Sequence, residues 1–141
     1  MTDSSWTSAD PLEVPAGGRV MGTLRVPPSK SLTHRFFNLA FLTRSSLVVE
    51  EPLVAEDSHL FLEALRRSGF AVEVAVDAVT LVPGSLPEGE VEIHCGNAGT
   101  MFRLLTASAA VTPGKWRLDG TPRLRERPVG PLIAALRLLG A

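Results

Sequence analysis

Residues 91–110, VEIHCGNAGTMFRLLTASAA, read as a strand that passes through a glycine-bearing loop directly into a helix. Val91, Ile93 and Cys95 alternate with more polar neighbours, the two-residue period of a half-buried strand. Gly96-Asn97-Ala98-Gly99-Thr100 supplies the turn, Thr100 is a candidate cap, and a helix is expected to about Ala110. Downstream, Lys115–Leu118 reads as a strand and Val129–Leu139 as a helix stopped by Gly140. Upstream, FAVEVAV (70–76) and AVTLV (78–82) alternate on either side of a turn near Asp77, the pattern of a hairpin. Before them, Ser58 can cap a helix that ends ahead of Gly69, and 46–49 is a short buried strand. Further back, Ser29 or Ser31 can cap a helix to about Thr43 with Leu32, Phe36, Leu39 and Ala40 on one face. A strand over 19–26 stops at Pro27-Pro28. Residues 1–17 read as a leader.

The order is thus β-α-β-α-β-β followed by β-α-β-α, a layered α/β (α+β) arrangement with a recurring unit. The second copy stops at Ala141 without its closing hairpin, so the expectation is part of a larger fold, with a small self-contained domain as the alternative. Composition agrees with a globular chain. Of 141 residues, 45% are apolar and 21% charged, which excludes disorder and a coiled coil. The net charge of -1 argues against nucleic acid or an anionic membrane as partner, since both demand surplus positive charge. No apolar run reaches the ~18 residues of a membrane span. The polar, acidic start lacks the basic segment of a signal peptide. A single cysteine, Cys95, excludes a disulfide scaffold, and the expected location is cytoplasmic.

The charges are unevenly spread. Residues 46–92 carry ten acidic and two basic side chains, whereas 93–141 carry seven basic and two acidic. Within the latter, TPRLRERPVG holds Arg123, Arg125 and Arg127. Guanidinium forks grip carboxylates and phosphates through paired hydrogen bonds, so a small acidic metabolite is the expected partner. Two segments are built to cradle such an anion. In PPSKSLTHR (27–35), Lys30 and Ser31 fall at a helix start, where free N–H groups and the helix dipole favour negative charge. Arg35, four residues after Ser31, lies on the same face. The plainer reading of this segment is a helix cap and two surface cations. GNAGT repeats the design, with Arg103 three residues beyond Thr100. It is neither a Walker A loop nor a dinucleotide fingerprint. His34, His59 and His94 form no metal-ligand pattern and read as core or surface residues, so no metal is expected. Glu56-Asp57 reads first as a dipole partner of the helix that follows, and only second as part of a cleft.

PPSKSLTHR, EDSHLFLEALRRSGF, GNAGTMFRLLTA and LDGTPRLRERPVGPLIAALRLLGA, in this order, resemble the N-terminal part of the 5-enolpyruvylshikimate-3-phosphate synthases over about residues 18–141. The resemblance implies a partial N-terminal enolpyruvyl transferase domain. Its fold would be the family's inverse barrel of βαβαββ units about a pseudo-threefold axis, with one unit and part of a second present. It implies transfer of the enolpyruvyl group of phosphoenolpyruvate to the 5-hydroxyl of shikimate 3-phosphate by addition and elimination, with phosphate released and no cofactor. Lys30 would contact both substrates and be catalytic. Ser31 and Arg35 would hold shikimate 3-phosphate, and Gly99 and Arg127 phosphoenolpyruvate. Asn97, Thr100 and Arg103 would line the same cleft.

Leu104 departs from the family, which usually has proline there. The family is also several times longer, and its acid/base carboxylates lie in the part beyond this chain, so the remainder of the enzyme is expected to be needed for activity. Two alternatives use the same cradles. One is a binding module that captures a phosphorylated metabolite without chemistry. The other is the sister transferase acting on UDP-N-acetylglucosamine, disfavoured because that family usually has asparagine where Ser31 follows Lys30.

Overall fold

Ser29 starts the first helix because its Oγ accepts the Leu32 N–H at 3.3 Å, satisfying one of the N–H groups a helix start leaves free. In the computed structural model, which describes Gly17 and residues 21–141, α1 runs Lys30–Thr43. It ends at Arg44, whose backbone turns left-handed. The Arg44 guanidinium donates to Ser68 O and Gly84 O and covers the Phe70 ring. The elements that follow are β1 (Leu47–Glu50), α2 (Glu56–Arg67), β2 (Phe70–Val74), β3 (Ala78–Pro83), β4 (Glu90–His94), α3 (Gly99–Ala109), β5 (Lys115–Asp119), α4 (Pro122–Arg125) and α5 (Gly130–Leu138).

The strands form two sheets. One is antiparallel in the order β1-β3-β2, and the other pairs β4 with β5 in parallel. A parallel pair needs a crossover, and α3 provides it. In register, Val91 faces Trp116 and His94 faces Asp119. The pairing continues past the strands: Cys95 N–H donates to Asp119 O, and Thr121 N–H to Gly96 O. This zipping carries α4 alongside the GNAGT loop. The core gathers Phe37 and Phe41 of α1, Phe61, Leu62 and Leu65 of α2, and Met101 and Leu105 of α3, all almost fully buried. Phe61 meets both His34 and Phe37 edge to face, at ring separations of 5.4 and 5.8 Å, a favoured aromatic geometry.

Four readings from the sequence need correction. Of the strand expected over 19–26, Arg19 and Val20 lie outside the described residues. Residues 21–26 pair with no strand among the described residues, and Leu24 and Val26 are exposed, because an alternating segment becomes a strand only against a partner edge. The buried face of α1 is Thr33, His34, Phe37, Ala40 and Phe41, not the stripe of Leu32, Phe36 and Leu39, which is exposed. Ser58 does not cap α2, nor Thr100 α3. The capping positions are Ala55 and Ala98, without side-chain bonds. The arginine-rich stretch between β5 and α5, to which the sequence pattern assigns no element, contains the short α4, capped by Thr121 with Pro122 at its start, an arrangement that suits a helix opening.

Two buried groups give measurable consequences. Cys95 is fully buried, and burial, aided by Asp119, pushes its thiol up to about 12. It should resist thiol reagents near pH 8 in the native protein and react once the chain is unfolded, because the thiolate is the reactive form; rapid native labelling would contradict its burial. His34 is fully buried as well, and burial lowers its pKa, with Asp57 opposing and Lys30 reinforcing more weakly. Below the ordinary histidine value of about 6.5, the unfolded chain takes up a proton that the native ring resists, so stability falls as pH falls. Denaturant midpoints measured in neutral and mildly acidic buffer should decrease toward acid, and His34→Gln should flatten that decrease.

Candidate functional site

The first turns of α1, α2 and α3, together with the segment after α4, enclose a cleft of about 310 Å³ lined by Lys30, Glu56, Asp57, Asn97, Gly99, Thr100 and Arg127. Two of these helix starts, those of α1 and α3, carry no acidic side chain in their first turn and direct the positive ends of their dipoles toward the hollow. Their spacing is held from below by packing of α1 on α3, where Ser108 Oγ donates to Asn38 Oδ1 at 2.8 Å.

Lys30 opens α1 and extends its Nζ to Asp57 Oδ2 at 2.8 Å. Arg127 reaches the cleft from the other side and donates from Nη2 to Asn97 Oδ1 at 3.3 Å. Its guanidinium lies so close over Gly99 that a Cβ there would collide with Nη1. Glycine at 99 is thus what lets an arginine lie against the α3 backbone. Gly96, at φ +54°, makes the turn that brings the loop to this position, and a Cβ on it would press on Leu60 at 2.6 Å.

The structure brings Lys30, Asn97, Gly99, Thr100 and Arg127 together. Ser31 and Arg35 stand beside the cleft, exposed, with Arg35 Nη1 donating to Ser31 Oγ at 2.6 Å. Arg103 turns away from it and donates to Pro128 O at 2.5 Å, steadying the approach to α5. Leu104, partly buried against the core, lines a separate hollow with Leu42 and Leu132. The three alternating arginines divide. Arg125 forms a two-pronged pair with Asp119, at 2.8 and 2.6 Å, and this holds the Asp119 carboxyl well below the usual carboxylate range. Arg127 alone of the three lines the cleft. A second hollow beside α2 also carries cations, but Arg67 there pairs with Glu63 and Arg117 with Glu92, so neither is left for a ligand.

Sequence reasoning gave too little weight to Glu56 and Asp57. Both lie in the first turn of α2, where carboxylates complement the dipole, yet both also line the cleft. Their partner Lys30 lies 27 positions from Asp57 along the chain, a separation no local pattern reveals. With Lys30 and Arg127 opposite them, the cleft is close to neutral in formal charge. Among the described residues no group of three or more His, Cys, Asp or Glu side chains could hold a metal ion, and no helix is long and apolar enough to cross a membrane.

Comparison with known proteins gives a consistent result. The family model described as EPSP synthase (3-phosphoshikimate 1-carboxyvinyltransferase) matches residues 14–141. The 3-phosphoshikimate 1-carboxyvinyltransferase of Thiobacillus denitrificans is 42% identical over 132 residues, and that of Nitrosomonas europaea 41% over 133. Each alignment takes in 92% of this chain but only 31% of the relative, so the chain spans about a third of the length of these proteins. Among solved structures, EPSP synthase from Acinetobacter baumannii superimposes with a TM-score of 0.73 and 28% identity, over 85% of this chain and 28% of that one. The layered α/β architecture described above is therefore that of the corresponding part of the solved enzyme.

Proposed function

The chain belongs to the EPSP synthase family, matched over residues 14–141, and on that premise we propose that it forms part of the substrate cleft of a 3-phosphoshikimate 1-carboxyvinyltransferase. The reaction is transfer of the enolpyruvyl group of phosphoenolpyruvate to the 5-hydroxyl of shikimate 3-phosphate, with loss of phosphate and without a metal or organic cofactor. The observation that carries this reading is the meeting of two helix starts with Lys30 and Arg127 in one cleft. Both substrates are multiply anionic, and such a cleft offers backbone N–H groups, an ammonium and a guanidinium fork to phosphate and carboxylate.

In this reading Lys30 touches both substrates and stabilises charge on the tetrahedral intermediate. Ser31 and Arg35, already bonded to one another, turn toward shikimate 3-phosphate. Arg127 orients phosphoenolpyruvate over the Gly99 backbone, with Asn97 and Thr100 beside it, while Arg103 keeps the neighbouring segment in position. Residues 18–141 form part of the N-terminal domain, and the working compartment is the cytoplasm. Neither nucleic acid nor membrane is a partner.

The remainder of the enzyme is required for turnover, and two features support this. The formal charge of the cleft is nearly balanced by Glu56 and Asp57, so tight capture of polyanions needs further cations. Moreover, α1 leaves Leu32, Phe36, Leu39 and Leu42 exposed in addition to its buried face, and α5 has no buried residue at all. Contiguous exposed apolar side chains mark a surface that another segment covers.

The test is to join this chain to the remaining length of the Thiobacillus denitrificans relative and to assay phosphate release from phosphoenolpyruvate. The hybrid should release phosphate only when shikimate 3-phosphate is present, and the 141-residue chain alone should not. A folded hybrid that binds neither substrate would overturn the assignment. Turnover by the chain alone would overturn the requirement for the remainder.

A further inference from the structure

Buried hydroxyls on α1 and α2 close on a single stretch of backbone. Thr33, almost fully buried, accepts the Leu53 N–H on Oγ1 at 3.0 Å. Ser58, also buried, donates its hydroxyl to Leu53 O at 2.6 Å. With its one proton so used, Ser58 Oγ meets His34 Nε2 at 3.4 Å as an acceptor, which puts the imidazole proton on Nε2. His34 Nδ1 is left without a partner, consistent with a neutral ring. Leu53 is thus gripped at both its backbone groups, once from each helix.

This grip bears on the cleft because of what comes next in the chain. Only Val54, Ala55 and Glu56 separate Leu53 from Asp57, and α2 has no side-chain cap of its own, so the hold on Leu53 fixes where its first turn begins. Asp57 then meets Lys30, one turn before Thr33 and His34 on α1. The Lys30–Asp57 pair is half-exposed on the lysine side, and exposed pairs contribute little to stability. It has a geometric consequence instead. An ammonium has three donors; Asp57 takes one, restrains a flexible four-carbon stem, and leaves two for ligand atoms.

We propose that Asp57 is the positioning residue for Lys30, and that the Thr33–Leu53–Ser58 lock is what sets Asp57 in place. The proposal deepens the reading of Lys30 as the anion-binding lysine and rests on it.

The chain contains only two lysines, Lys30 and Lys115, so the ammonium groups of the full chain can be followed individually by proton–nitrogen correlation in cold, mildly acidic buffer, with Lys115 as internal control. Asp57→Asn should abolish the hydrogen-bonded Lys30 ammonium signal. Thr33→Val should weaken it about threefold or more, and Thr33→Ser should restore it. Should Asp57→Asn leave the Lys30 signal intact, or folded Thr33→Val keep it at full strength, or Thr33→Ser fail to restore it, the proposal is overturned. Inorganic phosphate added to the same samples separates the two levels. If phosphate leaves Lys30 unmoved while the variants behave as described, the lock stands and the anion-cleft reading falls.

Discussion

Phe61→Ala should lower the unfolding free energy by about 3–5 kcal/mol, the usual cost of deleting a buried phenyl ring in a core that cannot fully collapse. Phe61 is fully buried on α2 and faces α1 through two edge-to-face contacts, with His34 and Phe37. The loss therefore combines the transfer of the ring, the cavity it leaves and two aromatic contacts. It also opens space beside His34, whose Nδ1 has no partner, and so weakens the α1–α2 contact on which the position of Asp57 depends. Denaturant unfolding monitored through the tryptophans is the check. Phe61→Leu, which keeps most of the volume, should cost about 1 kcal/mol. A Phe61→Ala protein as stable as the parent would mean that the two helices are held together by something other than this cluster.

Arg127→Ala should weaken phosphoenolpyruvate binding in the hybrid enzyme by ~2 kcal/mol, about 30-fold in Kd, because a charge-assisted fork is removed from a cleft with one other facing cation. The position of Arg127 is specified by its neighbours: Asn97 accepts one of its nitrogens and Gly99 leaves room for its guanidinium. Gly99→Ala should accordingly reproduce part of the loss without removing any charge. Arg127→Lys should also be impaired, since an ammonium cannot form the paired bonds. Arg125→Ala provides the contrast. Arg125 is engaged with Asp119 outside the cleft, so its removal should leave the phosphoenolpyruvate KM unchanged. Equal KM and turnover for Arg127→Ala and the parent would remove Arg127 from the site.

The contrast between those two arginines shows where a sequence stops being readable. The strand–loop–helix of 91–110 was legible because its signals are local: alternation over five residues, two glycines, and an apolar run. The β2–β3 hairpin was legible for the same reason. The faces of α1 were not, because its exposed side carries Leu32, Phe36 and Leu39 while its buried side includes Thr33 and His34, and periodicity then cannot say which side meets the core. Over residues 21–26, the strand expected at 19–26 failed on a non-local condition, a partner edge. Ser58 and Thr100 had the chemistry of caps, yet Ser58 uses its hydroxyl on Leu53 O, a contact set by the turn into α2. Of the cleft, the Lys30 and GNAGT halves were each visible as helix starts. That Arg127 rather than Arg123 or Arg125 enters follows from the single turn of α4, whose Thr-Pro opening was the available signal. The pairing of Lys30 with Asp57 exists only in three dimensions.

Titration of the amide resonances of the chain with shikimate 3-phosphate is the most direct measurement of whether the starts of α1 and α3 form one receptor for a phosphorylated acid. The expected result is that the amides of Lys30, Ser31 and Leu32 and those of Gly99, Thr100 and Met101 shift together along one saturation curve. Movement of only one group, or scattered shifts around Arg66, Arg67 and Arg117 that never saturate, would contradict it.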